Sequence, residues 1–133
     1  MNPDTRLSTP GSIVSVMTES LAAKLVATYF ESWRSKDFHT LRSVLADDAD
    51  FLGPLGKAEG GDACRQGVEG LSKITTDIVI RKMAVDGNDV ITWFELHTTQ
   101  APPIAVANWS HIENGKIQRI RVTFDPRPLM GGK

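Results

Sequence analysis

Glu95 and His97 stand two residues apart in a segment rich in strand formers. Side chains at that spacing share one face of a strand. A carboxylate beside an imidazole holds its tautomer and raises its basicity, which suits a general base. Phe94 and Leu96 have the opposite parity, and if they face the core, Trp93, Glu95 and His97 turn to the outer face. Both orientations stay open at this point. Tyr29 belongs to an apolar helical stripe, so its ring is expected to face the interior and its hydroxyl to need a partner. Asn108 shares a strand face with Ile104, Val106 and Ser110, a set that reads as a lining. Asp125 closes the last strand, as a site acid or as a turn residue before Pro126. Tyr29, Asn108, His97, Glu95 and Asp125 are the candidates for catalysis. Trp33, Phe51, Leu55, Phe94, Val106, Ser110, Val122 and Phe124 are those expected to touch a ligand.

The remaining reactive residues read as structural. Cys64 suits a small buried thiol, His39 a solvated helix position, and Arg119 and Arg121 an outward face beside Ile120 and Val122. No metal-ligand spacing, phosphate loop or nucleotide fingerprint occurs. Neither a metal nor a cofactor is expected.

The elements that must position these residues change character near Thr76. Leu21, Leu25, Tyr29 and Trp33 recur every four residues, predicting a helix over 19–36. Asp37 is expected to cap a second helix through Phe38, Leu41, Val44 and Leu45, ended by Asp47 and Asp48. A short strand broken by turn formers follows at Phe51–Gly56, then a third helix over 63–72. Thr76–Val85, Val90–Thr99, Ile104–Glu113 and Lys116–Asp125 carry strand patterns. They are separated by Asp86-Gly87-Asn88, Gln100–Pro103 and Asn114-Gly115. Helices first and an antiparallel meander after predict an α+β roll with the helices on one sheet face.

The 133 residues fit one domain, with a leader over 1–17, the domain over 18–129 and a tail over 130–133. A composition 41% apolar and 23% charged, with net charge −1, builds no field for nucleic acid or an anionic membrane. No apolar run is long enough to span a bilayer. A lone cysteine makes a reducing cytoplasm the simplest location.

The chain resembles the nuclear transport factor 2-like superfamily, a cone of three helices against a strongly bent sheet. The likeness rests on element order, on Ser35-Lys36-Asp37-Phe38, on Val44–Ala49, on Glu59-Gly60-Gly61-Asp62-Ala63 and on Asn114–Ile117. The closing Ile120–Pro128 is most similar to the SnoaL-like branch, named for polyketide cyclases. The resemblance implies that Tyr29 matches the oxyanion-hole tyrosine of ketosteroid isomerases and that Asn108 stands on or near the place of their hydrogen-bonding acid. That enzyme pair is a known example of donors serving a developing oxyanion. The isomerase base falls at Gly53, which can move no proton. The water-activating set of epoxide hydrolases of this fold falls near Glu95, His97 and Val122 and is not intact.

Two readings stand side by side. One is an enzyme doing cofactor-free acid–base chemistry on a small apolar carbonyl compound. The other is a non-catalytic binding or accessory module of the same fold. A homodimer is expected, with Trp93 and Trp109 on the paired face.

Overall fold

The structure, a computed structural model, describes residues 10–130. The first half of the expected leader and most of the expected tail lie outside the described residues. Helix α1 runs Pro10–Ser35, α2 Phe38–Ser43 and α3 Gly61–Ser72. The strands are β1 Leu45–Gly53, β2 Gly56–Glu59, β3 Thr75–Asp86, β4 Asp89–Thr98, β5 Ile104–Glu113 and β6 Lys116–Thr123, followed by a 3₁₀ turn at Arg127–Leu129. They form one curved, unclosed sheet in the order β2-β1-β6-β5-β4-β3, with the three helices packed on it. The architecture is the α+β roll that the change of period predicts.

Several details differ from the sequence reading. Helix α1 starts at Pro10 rather than Glu19, because proline is tolerated in a first turn. Its buried stripe runs Ala22, Val26, Tyr29, Phe30 and Trp33, and Leu21 is exposed. Helix α2 stops at Ser43, and the acidic segment expected to end it lies inside β1. That strand pairs antiparallel with β2 and parallel with β6, an addition to the expected meander. The last strand ends at Thr123, so Asp125 lies beyond it.

The motifs have local physical causes. Lys36 takes a left-handed φ of 62°, and the amides of Lys36 and Asp37 return to the Trp33 and Ser32 carbonyls at 3.1 and 2.8 Å, closing α1 in a Schellman turn. Asp37 then caps α2, accepting from the Thr40 amide at 3.2 Å and the Thr40 hydroxyl at 2.7 Å. The Lys36 ammonium donates to the carbonyls of Ser72 and Thr75, tying the end of α1 to the end of α3. At Gly61 a Cβ would stand 2.6 Å from the Ala46 carbonyl and the Arg42 guanidinium, so only glycine permits α3 to start there. Arg42 uses that proximity to pair with Asp62 at 2.8 Å and Asp47 at 2.7 Å.

Registers set the faces. Thr92 stands opposite Asn108, and Asn108 opposite Val122. Phe94, Leu96, Val106, Asn108 and Ser110 are buried under the helices, while Trp93 and Trp109 are 48% and 38% exposed on the other face. Irregularities in β3 on either side of Ile78, between Thr75 and Asp77 and between Ile80 and Lys82, bend that strand around the helices.

Candidate functional site

A cavity of about 240 Å³ lies between α1, α3 and the inner face of the sheet. Its walls are mostly apolar. Phe94 and Leu96 come from β4, Val106 from β5, Val122 from the end of β6 and Phe124 from just beyond it. Phe51 and Gly53 come from β1, Val68 and Leu71 from α3. The aromatic wall is continuous: Phe30 and Phe94 have ring centroids 4.8 Å apart, and Trp33 meets Phe94 edge-on at 6.1 Å.

Four uncharged side chains with polar atoms belong to this lining: Tyr29, Trp33, Cys64 and Asn108. Tyr29 and Asn108 are each 2% exposed. Neither the Tyr29 hydroxyl nor the Asn108 amide nitrogen has a hydrogen-bond partner among the described residues. Neither is among the sealed partnerless atoms, which are Trp33 Nε1 and Thr92 Oγ1. Both residues line the cavity. Burial pushes the Tyr29 phenol far above its ordinary pKa, with Cys64 adding to the shift, so it remains a donor. The Asn108 carbonyl oxygen is occupied, accepting from the Ser110 hydroxyl at 2.9 Å. Burial likewise pushes the Cys64 thiol up to about 11, and its sulfur sits 3.6 Å from the Ala49 carbonyl. It is held as a protonated, packed thiol.

Among the described residues, no carboxylate or imidazole lines the cavity. Lys57 is the one charged residue at its edge, and it pairs across the ladder with exposed Leu52 rather than with inward Phe51. Its side chain therefore takes the outer face.

Tyr29, Asn108, Trp33, Phe51, Leu55, Phe94, Val106, Val122 and Phe124 line this one cavity. Four expected residues do not. Glu95 and His97 lie on the outer face, as the parity of Phe94 and Leu96 requires, where Glu95 takes Arg81 at 3.0 Å and His97 at 3.2 Å. Asp125 is turned to Arg127, accepting from its amide at 3.1 Å and its guanidinium at 2.7 Å. Those contacts hold its carboxyl at a pKa of about 2. Ser110 shares the inward face but lies behind Asn108 rather than in the wall. Among the described residues, no group of three or more acidic, histidine or cysteine side chains could hold a metal ion. No helix there is long and apolar enough to cross a membrane.

Comparison with known proteins places this geometry in a family. No curated protein matches the chain. Among solved structures, an NTF2-like protein of unknown function from Cytophaga hutchinsonii is 28% identical with a TM-score of 0.73, over 82% of this chain and 94% of that one. A candidate ketosteroid isomerase from Kribbella flavida gives 13% and 0.72, over 82% of each chain. An LEH-like epoxide hydrolase of M. tuberculosis gives 19% and 0.72, over 86% of this chain and 90% of that one. At these identities the last two share a fold. The SnoaL-like domain model matches residues 26–120, from the middle of α1 into β6, and the chain belongs to that family within the NTF2-like fold.

Proposed function

We propose that the cavity binds a small, neutral, largely apolar molecule through a carbonyl-type oxygen held by Tyr29 and Asn108. On this reading the chain serves as a ligand-binding module. The observation that carries it is the chemistry of the lining: Tyr29 and Asn108 as hydrogen-bond donors, an apolar surround and, among the described residues, no carboxylate or imidazole. The isomerase-type reading needs a proton carrier within hydrogen-bond reach of the substrate, and Glu95, His97 and Asp125 all point elsewhere. Size narrows the ligand further. About 240 Å³ is below the roughly 300–1,000 Å³ of pockets for drug-sized ligands, which favours one or two rings over a four-ring skeleton.

One observation favours a catalytic alternative. Buried donors of this kind also suit a developing oxyanion, so the site would assist enolisation if water or the substrate took the proton. The test is calorimetric titration with the bicyclic ketone α-tetralone and the parent hydrocarbon tetralin. The ketone should saturate a single site and the hydrocarbon should bind more weakly. Equal affinities, or none, would remove the proposed role of the two donors. Exchange of the ketone's α-protons in deuterium oxide, followed by NMR, separates the readings: a binding module leaves the buffer rate unchanged.

We further propose that two copies pair through the outer sheet face. Ile91 and Trp109 are register partners there, with Trp93 beside them. Both charge signs flank this patch, in Arg81–Glu95–His97 and in Asp89–His111–Glu113, so a two-fold arrangement can oppose unlike charges. The free Cys64 thiol suits a reducing compartment such as the cytoplasm.

A further inference from the structure

An asparagine amide is nearly symmetric in shape but not in function. The end turned to a ligand decides whether the site accepts or donates a hydrogen bond. At Asn108 that choice is governed by a residue outside the cavity wall. Ser110, two positions along β5 on the same buried face, donates its hydroxyl proton to the Asn108 carbonyl oxygen at 2.9 Å. We propose that Ser110 is a positioning residue that fixes Asn108 as a donor, and so makes the cavity selective for a ligand with a carbonyl oxygen over one with a hydroxyl in its place, whose own proton the amide NH₂ cannot accept. The proposal rests on the binding reading above.

The argument is one of satisfiable protons. Ser110 is completely buried, and its hydroxyl hydrogen has one acceptor among the described residues, the Asn108 oxygen. If the amide turned over, its nitrogen would donate to the serine oxygen, and the serine proton would be left with nothing to bond. A buried polar group stranded in that way costs more than the bond it replaces. The neighbours offer no substitute. Across the ladders Ser110 meets Val90 and Ile120, and Asn108 meets Val122. Thr92, opposite Asn108, is fully buried, and its own Oγ1 makes no hydrogen bond, so it does not compete for the amide. One orientation therefore satisfies the serine and leaves the amide NH₂ open to the cavity. Tyr29, held protonated by burial, keeps a proton to donate beside it.

The test uses the full chain and a matched pair, α-tetralone and its alcohol α-tetralol. The natural protein should favour the ketone by about tenfold, the scale set by one well-placed hydrogen bond. Ser110→Ala should bring that ratio severalfold nearer to one, because the amide becomes free to present its oxygen. Ser110→Thr, which keeps the hydroxyl, should restore the preference, an outcome that mere packing would not give. Side-chain amide NMR of the ligand-free protein gives an independent readout. Asn108, assigned by loss of its signals in Asn108→Ala, should show one NH₂ pair that doubles or broadens in Ser110→Ala. If the natural protein binds neither compound, the binding reading fails while the amide spectra still decide the role of Ser110. An unchanged selectivity ratio or unchanged Asn108 signals in Ser110→Ala would overturn the proposal.

Discussion

The ring of Phe51 lies against the backbone of Gly53, with Cε1 and Cζ each 3.2 Å from where a Cβ on residue 53 would stand, and Val122 Cβ at 3.5 Å. A phenyl ring thus covers the stretch of wall where the family resemblance would put a proton-carrying acid. Gly53→Asp alone should crowd that ring and cost about 1–3 kcal/mol by denaturant melts. Combined with Phe51→Leu, most of the loss should return. The double variant should then speed exchange of the α-protons of α-tetralone by roughly 10²–10⁴-fold, the usual worth of a placed base. No acceleration in a folded double variant would show that Tyr29 and Asn108 do not face the bound carbonyl.

Tyr29→Phe keeps the ring in the aromatic cluster with Phe30 and Trp33 and removes only the hydroxyl. Stability should change by about 1 kcal/mol or less, since that hydroxyl has no partner among the described residues to lose. Affinity for α-tetralone should fall about fivefold to tenfold. A calorimetric affinity equal to that of the natural protein would place the ligand oxygen elsewhere.

Thr92 is fully buried with a hydroxyl that bonds nothing. Thr92→Val should therefore stabilise the fold, by about 1 kcal/mol in chemical denaturation. Destabilisation would mean that the hydroxyl has a partner after all.

His111 gives the outer face a pH response. Its Nδ1 stands 2.8 Å from Asp89 and its Nε2 3.4 Å from Glu113, and the Asp89 hydrogen bond leads the rise of its pKa above the ordinary value. A group raised on folding contributes fully below its unfolded pKa, about 6.5, and that contribution disappears as pH climbs through the folded pKa. Melting temperatures taken between about pH 5.5 and pH 8.5 should fall relative to those of His111→Asn as pH rises. Parallel curves would rule out this linkage.

For the proposed pairing, light scattering at micromolar concentration should return about twice the chain mass. Trp93→Glu, which charges the centre of the patch without touching the cavity, should return the single mass. A natural protein that is already monomeric refutes the interface.

In β4 and β5 the two parity sets were legible, Phe94 with Leu96 against Trp93 with Glu95 and His97, and Val106 with Asn108 against Trp109. Burial alternates along both strands and settles the facing, with Phe94, Val106 and Asn108 inward and Trp93 outward. Strand β1 was not legible. Leu45-Ala-Asp-Asp-Ala-Asp has no alternation, and its strand state comes from pairing with β6 far along the chain, supported by Arg121 on Asp50 at 2.6 Å. Arg42 was missed for the same reason, since its partner Asp62 is twenty residues away. Ser110 carried the right parity but a different depth. A face can be read from a period of two, whereas the thickness of a wall depends on side chains from α1 and α3. The missing acid was foreshadowed by Gly53, but only packing shows that Phe51 fills the space.

Strand β6 is the last strand of the domain yet lies inside the sheet, between β5 and β1. The β3–β4–β5 meander is joined by short connections and can form early, while β1 stays without its parallel partner until residues 116–123 arrive. The slow step of folding should therefore be the insertion of β6, a closure between segments about seventy residues apart. Until then the inner face that carries Asn108 is open along one side. Chains stalled before β6 would bind chaperones rather than ligand, and synthesis of the strand that completes the sheet would also complete the cavity.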